Sequence, residues 1–102
     1  MAQYVLSPEA LRDLLSLEKF LTERESQKRA LSVLARLHRA MTSLADYPGI
    51  GRKRGDLSGA PLCFPVSSWL IFYHATSDRT GIEIIRVIDS RRDINSILNA
   101  DS

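Results

Sequence analysis

The pattern of hydrophobic and polar residues divides the first half of the chain into one short strand and two helices. Residues 3–6 alternate weakly, which favours a small strand, and residues 7–9 (SPE) supply an N-cap, a proline for the first helical position and an early acid. Apolar residues then recur at helical spacing until the polar stretch 22–26. A second helical pattern spans residues 30–45 and stops at residues 47–49 (YPG).

Only a few polar residues separate the two helical patterns, so we expect an antiparallel helical hairpin with one apolar seam. The stripe of Leu, Met and Phe is then core rather than a cofactor site. Residues 49–59 contain four glycines and no apolar period, which predicts a loop. This segment is not a phosphate-binding loop, because it lacks the Gly-Lys-Ser/Thr ending and no strand precedes it.

Three apolar runs rich in aromatic and β-branched residues follow: LCFPV (62–66), WLIFYHA (69–75) and IEIIRVI (82–88). Their polar connections have hairpin length, which predicts an antiparallel meander. Pro65 cannot donate to a ladder, so the first of these strands should be irregular or lie at an edge. The predicted fold class is α+β, in a single domain of residues 1–102. An N-terminal strand is followed by an antiparallel two-helix hairpin packed on a small antiparallel sheet (β-α-α-β-β-β), with a short C-terminal helix.

Both faces of the predicted sheet are apolar. In the strand at 69–75, Leu70 and Phe72 point to one face, and the other face has Trp69, Ile71 and Tyr73. In the strand at 82–88, Ile85 and Val87 point to one face, and the other face has Ile82, Ile84 and Ile88. A two-helix hairpin covers one face, and the open face of such a sheet is usually polar. We therefore expect another chain to cover either this second face or the groove of the helical hairpin, with Trp69 or Tyr73 near the contact. Wrapping by the first helix or the C-terminal tail is the alternative.

Arginines near the C-terminus are the main candidates for a functional contact. Ser90 and Asp93 have the spacing of a capped helix start, and Arg91 and Arg92 would then lie in the first turn, where the helix dipole disfavours cations. We expect one of the two arginines to pair inward with Asp89 and the other to project outward. Two solvated arginines without partners are the alternative.

Arg86 is a different case, because alternation places it on the same strand face as Ile82, Ile84 and Ile88. A guanidinium on such an apolar face needs a partner, so we expect a carboxylate to hold it. Its charge is permanent, so it would act structurally or electrostatically rather than as a proton donor.

Composition and charge indicate a globular domain and give little support for a nucleic-acid-binding protein. The chain has 102 residues, of which 44% are hydrophobic and 25% charged, as in ordinary globular domains. The net charge is +2, and residues 1–50 and 51–102 each carry seven Lys/Arg against six Asp/Glu. Apart from the cluster at residues 52–54 and the C-terminal arginines, nothing suggests a polyanion site, so we expect no direct nucleic-acid binding.

The single cysteine, Cys63, permits no internal disulfide and no Cys-based zinc site, and His38 and His74 lack the spacing of a metal motif. We expect no metal and no cofactor. Cys63 stands among apolar residues and should be a packed thiol. No segment resembles a signal peptide or a membrane span, which favours a cytoplasmic protein without membrane contact.

Four segments together resemble a known family. These are YVLSPEALRDL (4–14), LADYPGIGR (44–52), FPVSSWLIFYHA (64–75) and GIEIIRVIDSRRDI (81–94), which follow the pattern of the RelE/ParE superfamily of bacterial toxin–antitoxin systems and are most similar to its ParE branch. The resemblance implies a non-enzymatic toxin that poisons DNA gyrase. It also implies neutralisation by a ParD-like antitoxin, whose C-terminal segment wraps the toxin in a hetero-oligomer.

The RelE branch implies the main alternative, a ribosome-dependent mRNA endonuclease that uses basic residues on the sheet and an aromatic hydroxyl near the C-terminus. The strand at 62–66 has no lysine, and no tyrosine or histidine follows Arg92, so that set is mostly missing. Many ParE-type chains have arginine where this chain has Leu62 and histidine where it has Asp89, which leaves an inactive antitoxin-binding member as a further alternative. We expect no catalytic residue, and the candidates for contact with target or antitoxin are Trp69, Tyr73, Arg86, Arg91 and Arg92.

Overall fold

The computed structural model describes residues 3–99 and contains the predicted order of helices and strands, with one short strand added. The elements are β1 (Gln3–Leu6), α1 (Pro8–Arg24), α2 (Gln27–Asp46), a 3-10 turn (Pro48–Ile50), β2 (Arg52–Lys53), β3 (Leu62–Val66), β4 (Trp69–Ala75), β5 (Gly81–Asp89) and α3 (Ile94–Leu98). The predicted α+β class is confirmed.

Five strands form one mixed sheet in the order β1-β5-β4-β3-β2. The β3, β4 and β5 strands form the predicted antiparallel meander, but β1 pairs in parallel with β5, from Gln3 opposite Gly81 to Leu6 opposite Ile84. The parallel pairing of β1 makes the sheet mixed, a detail that the sequence does not predict, although most of the sheet is antiparallel as expected. Parallel pairing needs a long crossover between the two strands, and the helical hairpin begins that crossover.

The added strand β2 lies inside the segment predicted to be a loop. It pairs only with Leu62 and Cys63, so the rest of β3 is left without a neighbour on that side. Pro65 lies in this unpaired part, where its missing N–H breaks no ladder hydrogen bond. The expectation that Pro65 occupies an edge position is correct in this sense.

Serine side chains cap both long helices. The Ser7 hydroxyl accepts a hydrogen bond from the Ala10 backbone N–H (3.0 Å) and donates one to the Ile85 carbonyl (2.9 Å), so it also anchors the start of α1 to β5. Ser26 caps α2 by accepting from the Arg29 N–H at 3.0 Å. Only Glu25 and Ser26 separate the helices, and the predicted hairpin is confirmed.

The core between the hairpin and the sheet is built mainly from α2, β4 and β5. Its fully buried members include Val33, Leu37, Met41, Leu44, Ile71, Tyr73, Ile82 and Ile84. The apolar seam predicted for α2 is correct, but α1 contributes fewer buried side chains to the core than its hydrophobic pattern indicates. Leu11, Leu15 and Phe20 are 48%, 58% and 52% exposed, because the apolar stripe of α1 is wider than the strip of helix that the sheet covers.

The second face of the sheet is covered by the chain itself. Phe72 and Ile88 are buried there beneath Leu57 of the β2–β3 loop and the apolar side chains of α3. The expectation that this face is left for another chain is therefore wrong, and the alternative, wrapping by the C-terminal tail, is what the structure contains. The amphipathic spacing of Ile94, Ile97 and Leu98 gives α3 the apolar side that this cover needs.

A β-bulge interrupts the alternation of β5. The register with β4 shifts between Phe72 and Tyr73, which leaves Ile85 without a residue opposite. Beyond the bulge, Val87 packs in the core beneath the helices and Ile88 packs on the opposite face. Strict alternation, which put Ile88 on the face of Ile82 and Ile84, is therefore wrong for this end of the strand.

Candidate protein-binding site

A groove lies between α1 and the ends of β4 and β5. We define the groove by its apolar residues Leu17, Phe20, Trp69 and Val87 and its arginines Arg29, Arg91 and Arg92; the acids Asp13, Glu25 and Asp89 also line it. Aromatic and arginine side chains around an apolar centre are the composition of a protein-binding surface.

Two aromatic residues give the groove apolar surface that a partner could bury. Phe20 is half-exposed on α1, where the Arg24 guanidinium lies 5.4 Å from its ring centroid. Trp69, at the start of β4, is partly buried and packs against the core beneath the helices. A part of the indole is anchored and a part faces the groove, which is the usual situation of an aromatic residue at a contact.

The wall of the groove is held in place by an ion pair between α1 and β5. Arg86 donates from Nε and Nη2 to the Asp13 carboxylate at 2.8 and 3.0 Å, and the Val87 backbone N–H donates to the same carboxylate at 2.9 Å. Both side chains are mostly buried, at 23% and 14% exposed. The prediction that a carboxylate holds Arg86 is confirmed, with Nε and Nη2 of the guanidinium both bonded to Asp13.

One of the two neighbouring arginines, Arg91, pairs with Asp89 as predicted, but the pair lies at the surface rather than inward, with the Arg91 side chain 81% exposed. Arg91 donates from Nε and Nη2 to the Asp89 carboxylate at 3.0 and 2.7 Å, and its backbone N–H donates to the same carboxylate at 2.9 Å. These hydrogen bonds lower the pKa of Asp89 to about 2. The exposed Arg92 side chain has no hydrogen bond or salt bridge to any residue in the range 3–99.

The predicted start of the last helix needs a correction. Asp93, not Ser90, is the N-cap of α3, and it accepts hydrogen bonds from the N–H and hydroxyl of Ser96. Arg91 and Arg92 therefore lie in the turn before the helix rather than in its first turn. The unfavourable dipole interaction expected from the sequence is small there, because a helix of five residues aligns few peptide dipoles.

Tyr73 is placed away from the groove, in the fully buried core. Its hydroxyl donates to the Pro48 carbonyl at 2.7 Å, and burial raises the pKa of the phenol. Gly51 lies against the ring so closely that a Cβ there would collide with the Tyr73 hydroxyl. Tyr73 thus ties β4 to the turn after α2 and offers no side-chain surface to a partner.

The last candidates for chemistry are the single cysteine and any group of metal-ligating side chains. Cys63 is buried, and desolvation raises the pKa of its thiol, as for the packed cysteine that the sequence predicts. Within residues 3–99, no group of three His, Cys, Asp or Glu side chains is placed to hold a metal ion. No helix in the same range is long and apolar enough to cross a membrane.

Asp13, Phe20 and Arg29 are among the groove residues that sequence reasoning missed. Asp13 is a charged residue among the apolar positions of α1, and it lies three residues after Ala10 and four before Leu17, both of which pack inward. An acid at that spacing is on the same helix face as its apolar neighbours and signals a buried ionic partner. For Phe20 and Arg29 the sequence contains no such signal.

The fold and the groove are those of a small α+β domain with a surface suited to binding another protein. Residues 4–94 match a family model described as the ParE toxin of type II toxin–antitoxin system, parDE. The chain therefore belongs to the ParE toxin family of type II toxin–antitoxin systems, and the resemblance inferred from the four sequence segments is confirmed.

A solved structure described as "Chromosomal ParDE TA system from P. aeruginosa" is similar to this chain, with a TM-score of 0.72 and 14% sequence identity. The alignment covers 87% of this chain and 96% of that chain. At this identity the likeness supports the fold. A comparison with curated proteins found no match.

Proposed function

We propose that this chain is a toxin that binds and inhibits DNA gyrase without catalysing a reaction, and that a ParD-like antitoxin neutralises it by occupying the groove. The observation that carries the proposal is the groove itself. Phe20 and Trp69 present aromatic surface beside Arg92, a cation without a salt bridge within residues 3–99. A partner segment with a large apolar side chain and a carboxylate would satisfy both features.

The arrangement of the polar side chains favours a binding toxin over a nuclease. An enzyme needs groups that are free to meet a substrate, whereas Arg86 is engaged by Asp13 and Tyr73 is buried with its hydroxyl bonded to Pro48. Trp69, Arg91 and Arg92 remain the candidate contact residues of the earlier prediction, and Arg92 is the one whose charge is available to gyrase or to the antitoxin.

Fluorescence tests antitoxin binding directly, because Trp69 is the one tryptophan of the chain. The antitoxin is sought as the product of a neighbouring reading frame with a ribbon-helix-helix pattern. Titration with a tryptophan-free form of it should shift the emission of Trp69 and raise the melting temperature, because a ligand that binds only the native state stabilises it. An unchanged spectrum together with an unchanged melting temperature contradicts the proposal.

A matched pair of variants locates the contact. Phe20→Ala and Leu31→Ala each remove a half-exposed apolar side chain from a long helix, at 52% and 56% exposure, but only Phe20 lines the groove. We expect Phe20→Ala to weaken antitoxin binding about 10-fold or more and Leu31→Ala to leave it unchanged. Equal effects of the two substitutions would place the antitoxin elsewhere.

A further inference from the structure

The free edge of the sheet at β2 has a cluster of cations that lies outside the groove. Arg52, Lys53 and Arg54 are consecutive and line a shallow pocket that shares no residue with the groove. The single acid in this pocket, Asp56, is engaged by Arg54 through two hydrogen bonds of 2.9 Å. Arg52 and Lys53 are exposed, and neither side chain has a hydrogen bond or salt bridge within the described part of the chain.

The backbone of Lys53 faces outward on the same edge. Arg52 lies opposite Cys63 and Lys53 opposite Leu62, and the Arg54 N–H donates to the Pro61 carbonyl at 2.8 Å. In an antiparallel ladder, hydrogen-bonded and non-hydrogen-bonded pairs alternate. Because Arg54 and Pro61 form a hydrogen-bonded pair, the N–H and carbonyl of Lys53 point away from β3, toward the side of β2 where the sheet has no further strand.

The two unpaired cations lie on opposite faces of this edge. Arg52 shares the face of Cys63, which packs with Phe72 beneath α3, whereas Lys53 shares the face of Leu62, which packs beneath the helical hairpin. A strand added beside β2 would place consecutive side chains on these two faces. Two adjacent carboxylates in that strand would therefore each meet one cation.

We propose that this edge, defined as β2 with Arg54, binds an extended acidic segment of a partner polypeptide as a sixth strand of the sheet. The segment carries two consecutive acidic residues, which pair with Arg52 and Lys53, and its backbone exchanges hydrogen bonds with Lys53. A nucleic acid would use the same cations but not the backbone groups of Lys53. Cations on an edge strand also discourage strand pairing between copies, and that role alone would require no partner.

The probe is a capped synthetic peptide, Thr-Val-Glu-Glu-Val-Thr, titrated into the ¹⁵N-labelled chain and followed by NMR. We expect saturable shifts centred on the Lys53 amide and slower hydrogen exchange at that amide. The same peptide with two lysines in place of the glutamates should not bind. Of two further peptides, each N-methylated at one glutamate, one should lose binding, because a strand directs alternate N–H groups to the same side.

Variants of the chain complete the test. Arg52→Ala with Lys53→Ala should weaken peptide binding about 2- to 30-fold, whereas the matched double substitution of the exposed Arg36 and Arg39 on α2 should not. Absence of binding at millimolar peptide overturns the proposal. So do equal binding of both N-methylated peptides and equal affinity for a single-stranded oligonucleotide of the same charge. A shift of the Lys53 amide with protein concentration alone would assign the edge to a second copy of the chain and also overturn it.

Discussion

Replacing Arg86 with alanine should destabilise the chain by about 2–3 kcal/mol. The substitution removes two charge-assisted hydrogen bonds and leaves the mostly buried Asp13 carboxylate with one donor, the Val87 N–H. A fully buried pair broken on one side costs about 3–5 kcal/mol and an exposed pair about 0–1 kcal/mol, and the 23% and 14% exposure of these side chains places this pair between the two limits. For a domain of this size the expected loss is about 10–20 °C in melting temperature.

A double-mutant cycle separates the pair from its surroundings. Asp13→Ala should cost about 1 kcal/mol more than Arg86→Ala, because the Val87 N–H also loses its acceptor. The double variant should then cost about 2 kcal/mol less than the sum of the single ones, since an absent pair cannot be lost twice. Urea unfolding monitored by Trp69 fluorescence gives these free energies. Arg12→Ala, which removes an exposed cation from the same helix, is the matched control and should cost less than about 0.5 kcal/mol.

Two results would refute this reasoning. One is a cost below about 0.5 kcal/mol for Arg86→Ala, which would mean that the ion pair contributes nothing in solution. The other is ribosome-dependent mRNA cleavage by the parent that Arg86→Ala abolishes while the folded fraction is unchanged, which would make Arg86 part of a nuclease site.

Three further predictions follow from the surroundings of single side chains. Because the folded-state pKa of Asp89 is lowered from 3.8 to about 2, its ion pair stabilises the chain above pH 3.8, and this contribution disappears as the pH falls through about 2. Asp89→Asn should therefore be less stable than the parent at pH 7 and equally stable below pH 2 in urea unfolding; a constant difference would contradict this. Tyr73→Phe should cost about 0.5–1.5 kcal/mol, because the partly buried Pro48 carbonyl loses its donor, and should leave antitoxin affinity unchanged. Arg92→Ala should abolish growth arrest or antitoxin binding at an unchanged melting temperature, whereas Arg92→Ala and Arg91→Ala both behaving like the parent would show that the turn is only solvated.

Local signals in the sequence were sufficient for most elements. Residues 7–9 predicted the start of α1, because an N-cap serine and a proline act within one turn. The strand predicted at 82–88 is extended by one residue at each end in β5. The helical pattern of residues 30–45 predicted the buried side of α2, since hydrophobic periodicity depends on the helix alone.

Features that arise between elements were not predictable in this way. Strand β2 has two charged residues and no apolar period, and it exists because β3 offers it backbone partners. The parallel pairing of β1 depends on where the helical hairpin returns the chain, and the bulge at Ile85 depends on the register with β4. Cover of the second sheet face depends on α3, a helix of five residues whose apolar side is meaningful only against the sheet.

For the candidate contact residues too, local contacts were predictable from the sequence and contacts between distant elements were not. The apolar neighbours of Arg86 in the sequence correctly indicated that its charge needs a carboxylate, but the sequence could not identify Asp13, which is 73 positions away. Adjacency correctly predicted that one of Arg91 and Arg92 pairs with Asp89, because that contact is local. Tyr73 was selected as an aromatic residue near a surface, and its burial became visible only when α2 and the turn at Pro48 were in place.

Inhibition of gyrase by the purified chain is the most direct test of the proposed function. The chain is assayed in parallel for inhibition of DNA supercoiling by gyrase and for ribosome-dependent cleavage of mRNA, each with and without the ParD-like antitoxin. We predict that supercoiling is inhibited, that the antitoxin restores it, that Phe20→Ala requires more antitoxin than Leu31→Ala for the same recovery, and that mRNA remains intact. Unchanged supercoiling at saturating toxin, together with mRNA cleavage that the antitoxin suppresses, would contradict the account and assign the chain a nuclease activity.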